Sequence, residues 1–289
     1  MIPDWVDRYH YPFEPKALIV EAGMMRYLDE GEGRPVVMVH GTPTWSFMYR
    51  HLVRGLRERY RCIVPDHLGY GLSDKPAGYG YTPSDQAQNL ETLIEMLGLK
   101  NITLVVHDFG GPIGLAYAIA HPENVRQLVL FNTWMWSFRG DRRKELVAKL
   151  FESALGRFLY LRLGFSVNVV WRHAVKDRRR YTSEVHRQYA MAAASPGARR
   201  ATLCTARELL GSSEWYDSLW RRRDRLTPIP ALLVWGMKDP VFAEYLPRWR
   251  SVFGRCDVVE LDCGHAPPEE RAPEILPTLR AFLDKESAS

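Results

Sequence analysis

The segment ITLVVHDFGGPIGLAYAIA, residues 102–120, decides how this chain folds. Its first five residues form a β-branched, apolar run that is typical of a buried strand. The part that begins at Ile113 is typical of a helix, and small residues lie between the two. Such residues let a strand turn sharply into a helix, which presents the side chain of Asp108 at the carboxyl end of the strand. The segment therefore predicts a strand–turn–helix unit that carries a functional carboxylate.

An aspartate at this turn changes the chemistry that the turn can perform. The usual form is G-x-S-x-G, with serine as the nucleophile, whereas this chain has VHDFG at 106–110. A carboxylate that attacks a carbonyl group gives an unproductive anhydride, but one that attacks a saturated carbon gives an ester that water can hydrolyse. Asp108 is therefore predicted to displace a leaving group from an alkyl carbon or to open a strained ring. The alternative is an ordinary charged residue in a strand–helix turn.

Two later strands lead to residues that would complete a catalytic triad. The apolar run 231–236 is followed by Asp239, and the run that begins at Val258 is followed by His265. The chain order of nucleophile, acid and histidine is the one that α/β-hydrolases use. We therefore expect Asp239 to orient His265, and His265 to act as the general base.

Residues HGT at 40–42 follow an earlier predicted strand, PVVMV at 35–39. An HG turn at this place commonly supplies one backbone N–H to an oxyanion hole, and the residue after the nucleophile supplies the other. The two donors here would be the amides of Thr42 and Phe109. The sequence contains no glycine-rich phosphate loop and no cluster of metal ligands, so neither a cofactor nor a metal is expected, and water is the co-substrate.

Several of these motifs resemble those of the haloalkane dehalogenases. The matching stretches are HG-x-PTWSF (40–47), PDHLGYGLSDKP (65–76), VHDFGG (106–111) and, with a likeness to the third subfamily, NTWMW (132–136). The resemblance runs from about residue 12 to the C-terminus and is weakest between about residues 138 and 225. It implies the α/β-hydrolase fold, with a mostly parallel eight-stranded sheet flanked by helices and an inserted helical cap. It also implies hydrolysis of a carbon–halogen bond to an alcohol and a halide.

Two positions depart from the family pattern, and both concern the leaving halide. Members of the family usually hold the halide with a tryptophan directly after the nucleophile, and often with an asparagine third in the HG-x-P turn. This chain has Phe109, which cannot donate a hydrogen bond, and Thr42, which offers a hydroxyl group. Replacement donors are expected among the other tryptophans. The candidates for the substrate pocket are Trp45, Trp134 and Trp136.

The pattern of strands and helices divides the chain into three parts. Strands that alternate with helices predict a parallel sheet covered on both faces. Between about residues 137 and 226 this strand signal disappears, and stretches such as 143–158 and 181–194 favour helices. We therefore predict an α/β-hydrolase core from residues 1–136 and 227–289, with a helical cap at 137–226 that closes over Asp108. The large cap side chains expected to enclose an apolar pocket are Phe138, Phe151, Phe158, Trp171 and Trp215.

Composition excludes some classes of protein and leaves the partners open. No apolar run approaches the roughly 18–20 residues of a membrane span. No secretory signal is visible, and the four cysteines lack metal-ligand spacing, so a cytoplasmic protein with reduced thiols is expected. The net charge is +5, with basic runs at 142–144, 176–180 and 221–225. No nucleic-acid-binding pattern accompanies these runs. They are predicted to form a solvated surface, or to contact a partner protein, a second copy of the chain or a charged substrate tail.

Four functions are compatible with these residues. The family motifs favour haloalkane dehalogenation. β-Lactone decarboxylation, performed in bacterial olefin synthesis by an enzyme that resembles the same subfamily and uses the same aspartate, would suit the altered halide positions. Epoxide hydrolysis would need two cap tyrosines as acids. The candidates for them are Tyr160, Tyr181, Tyr189 and Tyr216. A non-catalytic binding protein is the fourth, and the complete set of Asp108, Asp239 and His265 argues against it.

Overall fold

The computed structural model describes residues 2–285, which build an eight-stranded sheet with helices on both faces. The strands are β1 (Lys16–Val20), β2 (Gly23–Glu30), β3 (Arg34–Val39), β4 (Tyr60–Pro65), β5 (Ile102–Asp108), β6 (Val125–Thr133), β7 (Ala231–Gly236) and β8 (Cys256–Leu261). Their order across the sheet is β1-β2-β4-β3-β5-β6-β7-β8. Strand β2 is antiparallel to both of its neighbours, and the other neighbouring pairs are parallel. The predicted fold class is confirmed.

Helices connect the parallel strands and fill the long insertion after β6. They are α1 (Arg50–Leu56), α2 (Pro83–Met96), α3 (Gly110–Ala120), α4 (Arg142–Glu152), α5 (Ala154–Leu163), α6 (Arg172–Ala174), α7 (Ser183–Ala192), α8 (Pro196–Gly211), α9 (Ser213–Arg221), α10 (Leu246–Arg250), α11 (Pro267–Glu270) and α12 (Ala272–Asp284). A π-helical turn at Ser166–Trp171 leads into α6. Among the described residues, no helix has both the length and the apolar character needed to cross a membrane.

The core lies on both faces of the central strand β5, whose seven residues are all buried. One apolar cluster joins alternate residues of β5, such as Leu104, to the apolar faces of α2 and α3. The other cluster joins Val105 to α1 and α12. Because both faces are covered, the strand is apolar along its whole length, and its carboxyl end is held rigidly where β5 turns into α3.

Six helices, α4 to α9, lie between β6 and β7, and we call residues 142–221 the insertion. The stretch 143–158, which was predicted to favour helix, contains parts of two helices, α4 and α5, separated by Ser153. The Ser153 hydroxyl accepts a hydrogen bond from the Gly156 N–H at 3.0 Å and so caps α5. A Cβ atom on Gly156 would lie 1.8 Å from the carbonyl oxygen of Leu150, so only glycine allows this close approach. The division into domains at residues 136/137 and 226/227 stays a prediction.

Candidate active site

Asp108 lies in the sharp turn between β5 and α3. Its φ angle of +52° is in the left-handed region, which a non-glycine residue adopts at an energetic cost and most often at a functional site. Glycines let neighbouring segments approach the turn. A Cβ on Gly110 would lie 2.2 Å from the carbonyl oxygen of Val39, and one on Gly41 would lie 2.2 Å from Oδ1 of Asp108. The turn therefore holds the carboxylate against the HG segment.

The HG turn supplies a backbone hydrogen-bond donor to Asp108. The N–H of Thr42 donates to Oδ1 of Asp108 at 2.8 Å. The Thr42 hydroxyl lies 3.0 Å from the hydroxyl oxygen of Tyr70. Phe109 is the N-cap residue of α3, so its amide lies at the positive end of that helix. This geometry suits stabilisation of an oxyanion on Asp108, and that role of the two amides stays a prediction.

His265 lies between the two carboxylates that the sequence singles out. Its Nδ1 is 2.7 Å from Oδ2 of Asp239, and its Nε2 is 3.5 Å from Oδ2 of Asp108. The structure thus brings together all three residues predicted as the triad. Because Nδ1 is engaged by Asp239, Nε2 is the ring atom that faces Asp108.

Charge and burial act against each other at the triad. Burial by itself would lower the pKa of His265, but Asp239 and Asp108 together raise it to about 10. Burial by itself would raise the pKa of Asp239, but the charge of His265 and its hydrogen bond hold this pKa below the ordinary value. Loss of either negative charge would therefore lower the pKa of His265.

Asn132 holds Asp239 in place, and the sequence interpretation assigned it no role. Its Nδ2 donates to Oδ2 of Asp239 at 2.9 Å, and its Oδ1 accepts from the Gly236 N–H at 2.7 Å. The N–H of Val241 donates to the other Asp239 oxygen at 2.8 Å. These bonds fix the carboxylate in the orientation that His265 needs. The available signal was a polar residue near the end of the otherwise apolar strand β6.

Glu270 holds the loop that carries His265 and was also missed. It is fully buried, and its Oε2 accepts from the N–H groups of Lys176 and Asp177, both at 2.8 Å, and of Gly264 at 3.1 Å. The backbone N–H of His265 donates to the carbonyl oxygen of Ala174 at 3.0 Å. The loop that carries His265 is therefore bonded directly to the last residue of α6 and to the segment that follows it.

Comparison with known proteins agrees with this geometry. A family model described as alpha/beta hydrolase fold matches residues 34–272. Haloalkane dehalogenase 2 of Mycobacterium tuberculosis is 34% identical over 267 residues, covering 91% of this chain and 92% of that protein. The chain belongs to the haloalkane dehalogenase family of α/β-hydrolases.

Its relatives include enzymes named for a second reaction. A cis-3-alkyl-4-alkyloxetan-2-one decarboxylase of Shewanella oneidensis is 35% identical over 283 residues, covering 94% of this chain and 89% of that protein. Among solved structures, a haloalkane dehalogenase from Bradyrhizobium elkani covers 94% of this chain and 97% of its own, with a TM-score of 0.83. At 24% identity that likeness shows the fold alone.

Of the three tryptophans predicted for the pocket of this α/β-hydrolase, Trp134 lies beside the triad. Its ring meets that of Phe109 edge-on, with centroids 4.7 Å apart, and stacks on Phe242 at 5.0 Å. Phe242 in turn lies against the ring of His265 at 5.3 Å. The buried indole N–H of Trp134 has no hydrogen-bond partner within residues 2–285. An unpaired buried donor is costly unless a ligand uses it.

The other two pocket candidates lie in packed aromatic clusters. Trp136 contacts the rings of Trp220, Tyr245 and Trp249. Trp45 contacts the rings of Trp5, Tyr11 and Phe47. Both side chains are almost fully buried, so their first role is packing.

The large cap side chains divide between the site and the surface. Trp171 lies edge-on to His265, with centroids 6.1 Å apart, and its buried indole N–H is also unpaired within the described chain. Phe158 was expected to line the pocket, and this was wrong. Its side chain is 54% exposed, because α5 buries the side of the helix that carries Gly156 and Tyr160 instead.

The site is closed on the side of the HG turn. Asp108 and His265 are each 6% exposed. A cavity of about 10 Å³ lies beside the nucleophile turn, lined by Thr42 and Phe109 from the core and by Thr205 from α8 among others. Such a space holds one water at most. The insertion therefore covers this side of the carboxylate, as desolvation of the nucleophile requires.

The tyrosines considered as epoxide acids have other partners. The Tyr181 hydroxyl bonds to Nδ1 of His186, Tyr189 to Glu269, and Tyr216 to the carbonyl oxygen of Glu208. The ring of Tyr160 packs on Phe151 and Phe165. Residues 2–285 contain no group of three or more His, Cys, Asp or Glu side chains arranged to hold a metal ion.

Proposed function

We propose that this protein hydrolyses carbon–halogen bonds of apolar haloalkanes through an alkyl ester on Asp108. The observation that carries the proposal is the unpaired, buried indole N–H of Trp134. Its ring packs against Phe109, the residue that replaces the family's halide-binding tryptophan. A hydrogen-bond donor lost at position 109 is thereby available from a neighbouring side chain. We expect Trp134 to donate to the departing halide.

The first step is displacement at a saturated carbon. An oxygen of Asp108 attacks the carbon, the carbon–halogen bond breaks with its electron pair, and the halide departs as an anion. The low exposure of Asp108 supports this step, because a carboxylate removed from water is a stronger nucleophile than a hydrated one. The charge of Asp108 is consumed when the ester forms.

The second step is hydrolysis of the ester by His265. Esterification removes one of the two carboxylates that hold the pKa of His265 at about 10, so its proton leaves with the halide. The neutral imidazole then takes a proton from water as the water attacks the ester carbonyl carbon. The amides of Thr42 and Phe109 stabilise the oxyanion. Release of the alcohol restores Asp108 as an anion and His265 as a cation.

Decarboxylation of a β-lactone is the second candidate, and the side chains at positions 42 and 109 favour it. Phe109 cannot donate, and the Thr42 hydroxyl is paired with Tyr70. Attack of Asp108 on the alkyl ring carbon that bears the ring oxygen would open the ring to a carboxylate. Loss of CO₂ would then supply the electron pair of the carbon–carbon double bond and break the ester bond to Asp108. This route needs neither water nor a base.

A panel of substrates separates the two reactions. The purified protein is incubated with 1-bromoalkanes, a cis-dialkyl β-lactone and an alkyl epoxide, and halide, CO₂ with alkene, and diol are measured separately. Halide release supports the proposal. Alkene and CO₂ without halide release would replace it with the decarboxylase, and diol alone would replace it with epoxide hydrolysis. A folded protein that converts none of the three compounds would overturn the proposal.

The role of Trp134 is tested by Trp134→Phe, with Trp136→Phe as the matched control. A hydrogen bond to an anion contributes about 1.5–3 kcal/mol, so bromide affinity and dehalogenation should fall roughly tenfold to a hundredfold in Trp134→Phe. The control removes the same indole from an aromatic cluster that does not contact Phe109. Phe109→Trp should raise both quantities, because it restores a donor next to the nucleophile. Equal losses in the two phenylalanine variants would exclude Trp134 as the halide donor.

A further inference from the structure

The first two helices of the insertion expose large apolar side chains. Thirteen large apolar residues are exposed among those that the structure describes, and eight of them lie between positions 146 and 170. These eight, which we call the outer apolar face, are Leu146, Val147, Leu150, Leu155, Phe158, Leu163, Val169 and Val170. An exposed apolar concentration of this kind marks an interaction surface in a natural protein.

The direction of these side chains follows from what the helices bury. Helix α4 buries Ala148, and α5 buries Gly156 and Tyr160. The leucines at 146, 150, 155 and 163 and Phe158 lie on the exposed sides of the two helices. The spacing of Leu155 and Phe158 by three positions puts them on one side of α5. Helices α4 and α5 pack against each other and against α8, so their outward sides are neighbours. The exposed apolar side chains of the two helices therefore form one surface and are not scattered singly.

The same segment carries a strong positive charge. Residues 142–173 contain seven Arg and Lys against two Glu, a formal excess of +5 that equals the net charge of the entire chain. The seven are Arg142, Arg143, Lys144, Lys149, Arg157, Arg162 and Arg172. Within residues 2–285, none of them forms an ion pair with a carboxylate. Lys144 is half-buried over the rings of Phe138, Phe242 and Tyr245. The other six charged side chains are exposed and therefore available to an anionic partner.

We propose that the outer apolar face docks on an anionic lipid membrane surface. Apolar side chains flanked by Lys and Arg are the combination that binds at the boundary between headgroups and acyl chains. A second copy of this chain fits the surface less well, because two such faces would bring like charges together. Docking would place the insertion, which covers Asp108, against a phase that concentrates apolar compounds. This last point, delivery of substrate from the membrane, rests on the proposed function.

Vesicle sedimentation tests the proposal without any substrate. The full chain is mixed with vesicles of phosphatidylcholine alone or of equal parts phosphatidylcholine and phosphatidylglycerol. We expect binding to the anionic vesicles, weakened by salt because charges contribute to it. The double variants Leu155→Ser/Phe158→Ser and Arg157→Gln/Arg162→Gln should each bind at least about tenfold more weakly. The matched control is Ile19→Ser, which removes a side chain that is 82% exposed on β1 and should bind as the unaltered chain does.

Each contrary result overturns the proposal in a defined way. Absence of binding to anionic vesicles rejects the proposal. If Ile19→Ser loses as much vesicle binding as the double variants do, the binding is unspecific adsorption. A dimer in solution that Leu155→Ser/Phe158→Ser converts to a monomer assigns the face to self-association instead. Turnover of a short, water-soluble bromoalkane should be the same in this double variant and in the unaltered chain. Loss of vesicle binding with intact turnover therefore separates this surface from the catalytic proposal.

Discussion

At the carboxyl edge of the sheet the polar groups of the triad are buried and paired, whereas the first two helices of the insertion turn their large apolar side chains outward. Asp239 receives three hydrogen bonds in the first region, and Phe158 is 54% exposed in the second. The sheet edge is therefore built to hold a few atoms in place. The insertion covers those atoms and presents an apolar surface to the outside. The sheet edge therefore positions the triad side chains, whereas the insertion controls how substrate reaches them.

The largest expected effect concerns the sheet edge. His265→Gln removes the base, so turnover of a haloalkane should fall roughly 10²- to 10⁴-fold while the alkyl group stays on Asp108. Mass spectrometry of the peptide that contains Asp108 measures this adduct. Asp108→Asn is the control and should form no adduct. An alkyl group found on another residue would reject the assigned nucleophile.

A buried ion pair beneath the site should control stability. Arg50 and Glu269 form two hydrogen bonds of 2.6 and 2.7 Å, and both side chains are 1% exposed. Arg50→Met would leave Glu269 buried without its cation, so the free energy of unfolding should fall by about 3–5 kcal/mol. Chemical denaturation measures this change. Arg157→Met on the insertion is the matched control, and a similar loss there would contradict the contrast between the two regions.

Glu270 joins the two regions, and its replacement should slow one step. Glu270→Gln removes the negative charge and replaces one of the two acceptor oxygens with an NH2 group, which weakens the bonds from the N–H groups of Gly264, Lys176 and Asp177 and lets the His265 loop shift. Hydrolysis of the ester should slow by up to about 10²-fold, because a small misplacement of a catalytic group has that effect. Ester formation should change little. Rapid-quench kinetics separates the two steps, and Glu274→Gln, an exposed neighbour on α12, should leave both unchanged.

Acid should destabilise the core through its buried histidines. Burial lowers the pKa of His67 and of His107 to about 4. In the unfolded chain these groups titrate near 6.5, so below that pH the unfolded state binds more protons and the free energy of unfolding decreases. Each histidine should contribute up to about 1.4 kcal/mol per pH unit as the pH falls from 6.5 towards 4. Denaturation at several pH values should show that the free energy of unfolding depends less steeply on pH in His67→Gln than in the unaltered chain. The same pH dependence in both proteins would refute the assignment of acid sensitivity to this histidine.

The smallest expected effect lies on the outer apolar face. Leu155→Ala should change the free energy of unfolding by less than about 0.5 kcal/mol, because its side chain is 59% exposed. The same substitution at Leu104, which is fully buried in β5, should lower it by about 2–5 kcal/mol. Thermal or chemical unfolding of the two variants gives the comparison. A large loss at Leu155 would show that this side chain packs within the protein.

Much of the fold could be predicted from the sequence, because apolar strand runs alternate with helical stretches along the chain. The strands that lead to Asp108, Asp239 and His265 are apolar runs with functional residues after them, and parallel strands bring such residues to one edge. The stretch 143–158, predicted only to favour helix, shows the limit of this interpretation. Its break at Ser153 depends on a hydroxyl that caps the next helix and on a glycine that packs against Leu150. Helical propensity over the stretch does not contain that information.

The sequence by itself determined the triad, since chain order and strand ends place its three members. Only the tertiary structure decided that Asn132 orients Asp239 and that Glu270 ties the His265 loop to the insertion. It also decided that Trp134 lies beside Phe109 while Phe158 faces outward. The physical reason is range: a strand or a turn follows from neighbouring residues, whereas a hydrogen bond or a ring contact between distant segments depends on how whole helices pack.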